Sequence, residues 1–159
     1  MRKVAIYVET SVWSHALADD APESRTATLD FLGAAEALGY ELHVSEIVLT
    51  EISRAPEDVA RKLQALLQEH HPATLDFDEE ADRLAQEFLR FGVVPLAKTE
   101  DAQHVAVAVV NELDILASWN YRHLVNVRKR EAFRHVSAMN GYYKPLHIVT
   151  PLEVGDETQ

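Results

Sequence analysis

Short runs of aliphatic and β-branched residues alternate along this chain with longer segments whose apolar residues recur at helical spacing, and that alternation leaves few folds open. Residues 3 to 8, ending Val4-Ala5-Ile6-Tyr7-Val8, form the first run. A continuous apolar stretch of this kind has the character of a parallel strand buried on both faces. Thr10 or Ser11 is placed to cap a helix behind it. Residues 24 to 38 carry Ala27, Phe31, Ala34, Ala35 and Leu38 at helical spacing, and Gly39 stops them. Glu41 to Val44 reads as a second strand, with Ser45 as the cap of a helix that contains Glu51 and ends before Pro56. Pro56 suits the first turn of the next helix, residues 57 to 70, which His71-Pro72 terminates.

The second half repeats the pattern. Ala73 to Phe77 reads as a strand, and Asp78 caps a helix carrying Ala81, Leu84, Ala85, Phe88 and Leu89. After the break Gly92-Val93-Val94-Pro95, Thr99 is the expected cap of a strongly apolar helix over residues 100 to 111. Ile115 to Trp119 is a strand, residues 126 to 138 are helical, and Leu146 to Val149 is a last strand. Parallel neighbours need crossover connections, which are right-handed and usually helical. The chain is therefore expected to be α/β, a three-layer α/β/α sandwich with a central, mainly parallel sheet. A length of 159 residues suits one domain, placed at residues 1–153 with a short tail over 154–159.

Composition narrows the setting. The chain holds no Cys, which removes disulfides, a thiolate nucleophile and a zinc-thiolate site. No stretch approaches the roughly 20 apolar residues of a membrane span and no signal-peptide core opens the chain, so a soluble, cytoplasmic protein with no membrane partner is expected. With 26 acidic against 15 basic residues the net charge is −11, which disfavours a broad basic face for duplex nucleic acid. A local basic cluster remains in Arg122, His123, Arg128, Lys129, Arg130, Arg134 and His135, either a solvated helix face or a phosphate contact.

Four polar residues stand at the ends of apolar segments or the starts of helices: Glu9, Glu51, Asp101 and Asn120. Burying a carboxylate there is costly unless a cation compensates it. In parallel sandwiches, ligands collect at the carboxyl ends of strands where neighbouring crossovers diverge, and Glu9 and Asn120 follow strands directly. Asp101 belongs to a helical first turn, which the helix dipole favours. Glu51 reaches the same place only if its helix crosses the top of the sheet. Three acids and an amide so placed suggest a divalent-cation site. His104, three residues after Asp101, faces the same side of its helix, where contact with substrate or a ligand competes with a partly exposed histidine of no special role. For His123 phosphate contact and packing are equally open. No His-Glu-x-x-His pattern and no Gly-rich phosphate loop is present.

The run Tyr7-Val8-Glu9-Thr10-Ser11, then Glu51 after Val48-Leu49-Thr50, then Asp101-Ala102-Gln103-His104-Val105-Ala106-Val107-Ala108, then Ile115-Leu116-Ala117-Ser118-Trp119-Asn120, resembles a PIN domain over nearly the whole chain. Trp119-Asn120, His123-Leu124, Asn126 and Thr150-Pro151 resemble one bacterial branch of that family, the VapC-like toxins. The resemblance implies a metal-dependent endoribonuclease acting on single-stranded RNA, the toxin of a toxin–antitoxin pair, with a small antitoxin and often a homodimer as partners. It implies Mg²⁺ or Mn²⁺ held by Glu9, Glu51, Asp101 and Asn120 as the catalytic set. Thr10 or Ser11 corresponds to the family's neighbouring hydroxyl; with His104, His123 and Arg122, these are the candidate substrate contacts. The first position is usually Asp and here Glu9, one methylene longer, and the fourth is usually acidic and here neutral. With three carboxylates the formal site charge is about −3, so one tight ion and a weaker second are expected. The rival reading is a PIN-like scaffold that binds a partner without cleaving, favoured by Glu9 and Asn120; a phosphoacceptor receiver ranks third, because the first strand ends in one acid rather than a pair and Asp76 is expected inside its strand.

Overall fold

The computed structural model describes residues 2–157. Its five strands, β1 (Ala5–Val8), β2 (Glu41–Ser45), β3 (Ala73–Leu75), β4 (Ile115–Ala117) and β5 (His147–Val149), form one sheet in the order β3-β2-β1-β4-β5. Every pair is parallel, with Ile6 opposite both Leu42 and Ile115. β1 is the centre of the sheet, and its Ile6, Tyr7 and Val8 are fully buried, which accounts for the uninterrupted apolar run.

The helices are α1 (Thr10–His15), α2 (Pro22–Ala37), α3 (Glu46–Ser53), α4 (Glu57–His70), α5 (Glu79–Arg90), α6 (Thr99–Val110), α7 (Val127–Met139) and α8 (Pro151–Glu157). They pack as two groups: α1 against α2, α3 and α4, with α2 against α8; and α5 against α6 and α7. Right-handed crossovers produce this division, because the chain steps outward from β1 to β2 and β3, then returns past β1 to β4 and β5. The expected three-layer sandwich is what forms. Between α5 and α7, Phe88 meets Phe133 edge to face at 4.9 Å. No helix among the described residues is long and apolar enough to cross a membrane.

Several local expectations shift. Neither Thr10 nor Ser11 caps α1: both lie inside it, and Glu9 is the capping residue, its Oε2 accepting from the Ser11 amide at 2.9 Å. Thr99 likewise opens α6 from within, its hydroxyl donating to Leu96 O, because a short 3₁₀ turn over Leu96–Lys98 precedes the helix. β3 stops at Leu75, leaving Asp76 outside it, and the tail expected from residue 154 is, as far as Glu157, the end of α8. Gly39 does end α2, at a φ of 71° that a side chain rarely adopts. Asp78 caps α5 as expected, its Oδ1 accepting from Ala81 N at 2.9 Å. Replacing Asp78 with Ala is expected to lower unfolding free energy in urea by about 1 kcal/mol and leave the fold intact.

Candidate metal centre

The C-terminal ends of β1 and β4 lie side by side, and the crossovers leaving them go to opposite faces, so the cleft between them is the place where this topology gathers side chains. Glu9 leaves β1 there and is 5% exposed. Its Oε1 accepts from the hydroxyls of Ser11 at 2.6 Å and Ser118 at 2.5 Å, and its Oε2 from the Ser11 amide. Ser118, just past β4, also accepts from the Asn120 amide, and Ser11 from the Trp119 amide. Two hydroxyls thus tie the carboxylate to both strand ends, each charge-assisted bond contributing about 1.5–3 kcal/mol against the cost of burial.

Glu51 does reach this place. α3 begins directly after β2 and crosses the strand ends, touching α6, so that Glu51 Oε1 accepts from Thr10 Oγ1 at 2.6 Å and faces His104 Nε2 at 2.5 Å. His104 is not a partly exposed helix residue: it is fully buried. The face of α6 that presents it is covered by β1 and α3, and its Nδ1 lies 2.6 Å from the Tyr7 hydroxyl, which in turn lies 2.7 Å from Ser45 Oγ. A continuous chain therefore runs Ser45, Tyr7, His104, Glu51. Burial works against a charged His104, but the bond to Glu51 and the fields of Glu9, Glu51 and Asp101 overcome it and hold its pKa above the ordinary value. Burial would raise Glu51, and the same histidine, with help from Thr10 and Arg54, draws it below the ordinary value. Tyr7 is pushed well up, first by burial.

Asp101, in the first turn of α6, completes the group of acids. Burial, then the charge of Glu9, raises its pKa from 3.8 to about 6. Asn120 donates from Nδ2 to Asp101 Oδ2 at 3.3 Å and accepts the His123 amide at Oδ1. Both ends of the amide are engaged, so this arrangement supports Asn120 as the residue that orients Asp101.

The donor set fits a hard divalent cation. Ligand atoms of Glu9, Glu51 and His104 lie within 4.8 Å of one another. Glu51 Oε2 and Asp101 Oδ1 have no hydrogen-bond partner among the described residues, while the opposite oxygen of each is held by protein donors. Carboxylate oxygens anchored on one side and open on the other suit Mg²⁺ or Mn²⁺. His104 has both nitrogens occupied and is better suited to fixing Glu51 than to binding an ion itself. Of these supporting residues, Tyr7, Ser45 and Ser118 were not apparent as site residues in the sequence; Ser118 alone had a signal, a hydroxyl at the end of an apolar strand.

The basic cluster divides. Lys129 Nζ donates to Val93 O and Arg130 to Ile148 O at 3.1 Å, fastening α7 to its surroundings, while Arg122, Arg128 and Arg134 are exposed. His123 is half-buried, and burial together with Arg122, Lys129 and Lys98 keeps its pKa below the ordinary value.

The sheet, with acids from the end of β1, from α3 and from α6 gathered at its carboxyl end, defines an α/β/α domain with an acidic site at the strand ends. The chain belongs to the PIN domain family, whose model matches residues 6–128. No curated protein matches it in sequence. Among solved structures it is similar to FitAB bound to an IR36 DNA fragment, with 14% identity, a TM-score of 0.60, and coverage of 92% of this chain and 95% of that one. VapBC2 from Rickettsia felis, bound to a DNA fragment from its promoter, is 14% identical with a TM-score of 0.56 over 91% of this chain and 98% of that one. The toxin–antitoxin protein VapBC-5 from Mycobacterium tuberculosis is 18% identical with a TM-score of 0.50, over 92% and 98%. At these identities the likeness is one of fold.

Proposed function

We propose that this chain is a metal-dependent endoribonuclease that hydrolyses single-stranded RNA, and that it is the toxin of a toxin–antitoxin pair. The observation that carries the reading is the gathering of Glu9, Glu51 and Asp101 from three separate elements, with Glu51 Oε2 and Asp101 Oδ1 left without a hydrogen-bond partner among the described residues. Glu9, Glu51 and Asp101 would hold Mg²⁺ or Mn²⁺, with Asn120 steering Asp101 and His104 steering Glu51. When bound, such an ion supplies charge for the phosphate oxygens and a more acidic water for attack on phosphorus. Thr10 and Ser11 hold the carboxylates in register, and the exposed Arg122 is available to the RNA backbone. One fold-level neighbour, VapBC-5, belongs to a family of toxin–antitoxin systems, which supports a small antitoxin as partner; a homodimer belongs to the same reading.

The alternative is a PIN-fold scaffold that does not cleave, and the one observation favouring it is that every bond to Glu9 comes from the protein's own Ser11 and Ser118. A mixed single-stranded RNA substrate separates the two. Cleavage is expected with Mn²⁺, lost in EDTA and restored by excess Mn²⁺. Cleavage that persists in EDTA would overturn metal dependence, and no cleavage of any RNA would favour the scaffold.

A further inference from the structure

Between the end of β4 and the start of α7, residues 118–126 carry two rings, Trp119 and Tyr121, that the carboxylate site does not use, and His15 of α1 lies beside Trp119. Trp119 is half-buried, and the centroid of its indole lies 5.8 Å from that of the His15 ring and 6.5 Å from that of the Tyr121 ring. The three rings are tied to the site through short links. Ser11 Oγ bonds both Glu9 and the Trp119 amide, Ser11 O lies 2.7 Å from His15 Nδ1, and Asn120, between the two larger rings, bonds Asp101.

The segment is well anchored. Trp119 Nε1 donates to Thr28 Oγ1 at 2.8 Å. Asn126 Nδ2 donates to the carbonyls of Tyr121 and Arg122, and the Asn120 carbonyl accepts from Leu124 N and Val125 N. Tyr121 is 56% exposed even so, and its hydroxyl has no hydrogen-bond partner among the described residues. An exposed aromatic ring on a well-anchored backbone loses little entropy when it receives another flat group.

Charge says which flat group. At −11 the protein attracts a polyanion weakly, and Lys129 and Arg130 are already bonded to backbone carbonyls. The exposed Arg122, Arg128 and Arg134 offer phosphate contacts against this overall charge, and contacts other than phosphate pairing add to them: unpaired bases supply these by stacking on aromatic side chains. Resting on the ribonuclease reading, we propose that Tyr121 and Trp119 form a stacking surface for unpaired bases next to the phosphodiester that a divalent ion at Glu9, Glu51 and Asp101 would hold. Duplex RNA, whose bases are stacked on one another, is excluded from this surface. Tyr121 is the principal contact, and Trp119 supports it while anchoring β4 to α2.

The experiment uses the full chain carrying Glu51→Gln, so that RNA is bound without being cut, and fluorescence anisotropy in Mn²⁺. The probes are a labelled single-stranded RNA and a strand of the same length with abasic positions. Adding Tyr121→Ala is expected to weaken binding of the base-bearing strand by about 5- to 150-fold per stacked base. The abasic strand should bind the two proteins alike, and Tyr121→Phe should retain affinity. Equal binding with and without the Tyr121 ring, or equal loss on both strands, would overturn the stacking surface while leaving the nuclease reading in place. Loss of a co-purified small protein partner on Tyr121→Ala, with RNA binding unchanged, would also overturn it and assign the ring to a protein interface. Absence of RNA binding by every variant, together with absence of cleavage by the unsubstituted chain, would sink the nuclease reading itself.

Discussion

Asp101→Asn is expected to lower RNA cleavage by more than about a hundredfold and, in the same protein freed of divalent ions, to raise stability at neutral pH. Even residues that only orient a metal's ligands typically cost 10- to 100-fold when replaced, so a carboxylate that itself faces the ion should cost more. The opposite sign for stability follows from the site's charges. Asp101 lies half-buried beside Glu9 and Glu51, and its pKa rises from 3.8 to about 6. A carboxyl that binds its proton more tightly when folded stabilises the native state at low pH, and that contribution is lost as pH rises through about 6. Glu51 acts in the other direction: its pKa is lowered, so its contribution is present above its ordinary value of 4.5 and lost as pH falls. The metal-free protein should therefore be most stable in mildly acidic solution, near pH 5. Asn at 101 removes the share of the loss that Asp101 causes, by about 1 kcal/mol once solvent screening of a partly exposed group is allowed for, while the raised pKa of His104 leaves a loss in the same direction. Thermal unfolding in EDTA across pH 4–8 tests this, and Mn²⁺ provides the complement. An ion at a hundred times its dissociation constant stabilises the folded protein by about 2.7 kcal/mol, and the Asn variant should show much less of that gain. A variant that loses stability in EDTA at pH 7, or keeps its full response to Mn²⁺, would remove Asp101 from the site.

What could be read in the sequence depended on how local its cause was. The alternation of strands and helices was legible because a central parallel strand such as β1 is buried on both faces and so must be apolar throughout. The stops were legible where a single residue enforces them, as Gly39 and Asp78 do. The cap of α1 was not. Ser11 is a preferred capping type, yet its hydroxyl turns to Glu9, because a buried carboxylate has more need of a donor than a helix end has of an acceptor. The acids were legible as costly charges at element ends; their supports were not, because Glu9 meets Ser118 across 109 residues and Tyr7 meets His104 across 97. His104 did carry one unused signal. In α6, Ala102 and every residue from Val105 to Val109 are buried, so a histidine among them had no solvent-facing side to occupy. An apolar surround on all sides of a helix marks a polar member as bonded rather than exposed.

That histidine gives the second large effect. His104→Ala should lower unfolding free energy by about 2–5 kcal/mol, because it opens a cavity in a fully buried position and strips partners from both Tyr7 and Glu51. Stability alone does not distinguish a core residue from one that positions a ligand, so the discriminating readout is the affinity for Mn²⁺. If His104 fixes the Oε1 of Glu51 and thereby aims its Oε2, calorimetric affinity for Mn²⁺ should fall by about 10- to 100-fold, in the range found for groups that orient ligands. Tyr7→Phe removes only the far end of the same chain. It leaves His104 Nδ1 buried without its partner, costs about 1–3 kcal/mol, and weakens Mn²⁺ binding less. The two substitutions share one hydrogen-bonded network, so their effects on Mn²⁺ affinity should combine to less than their sum. Strict additivity, or a His104→Ala protein that unfolds more easily but binds Mn²⁺ as the unsubstituted chain does, would reduce this histidine to core packing. Glu51 would then hold its geometry through Thr10 alone, a hydroxyl on a residue of α1 that the buried network does not otherwise reach.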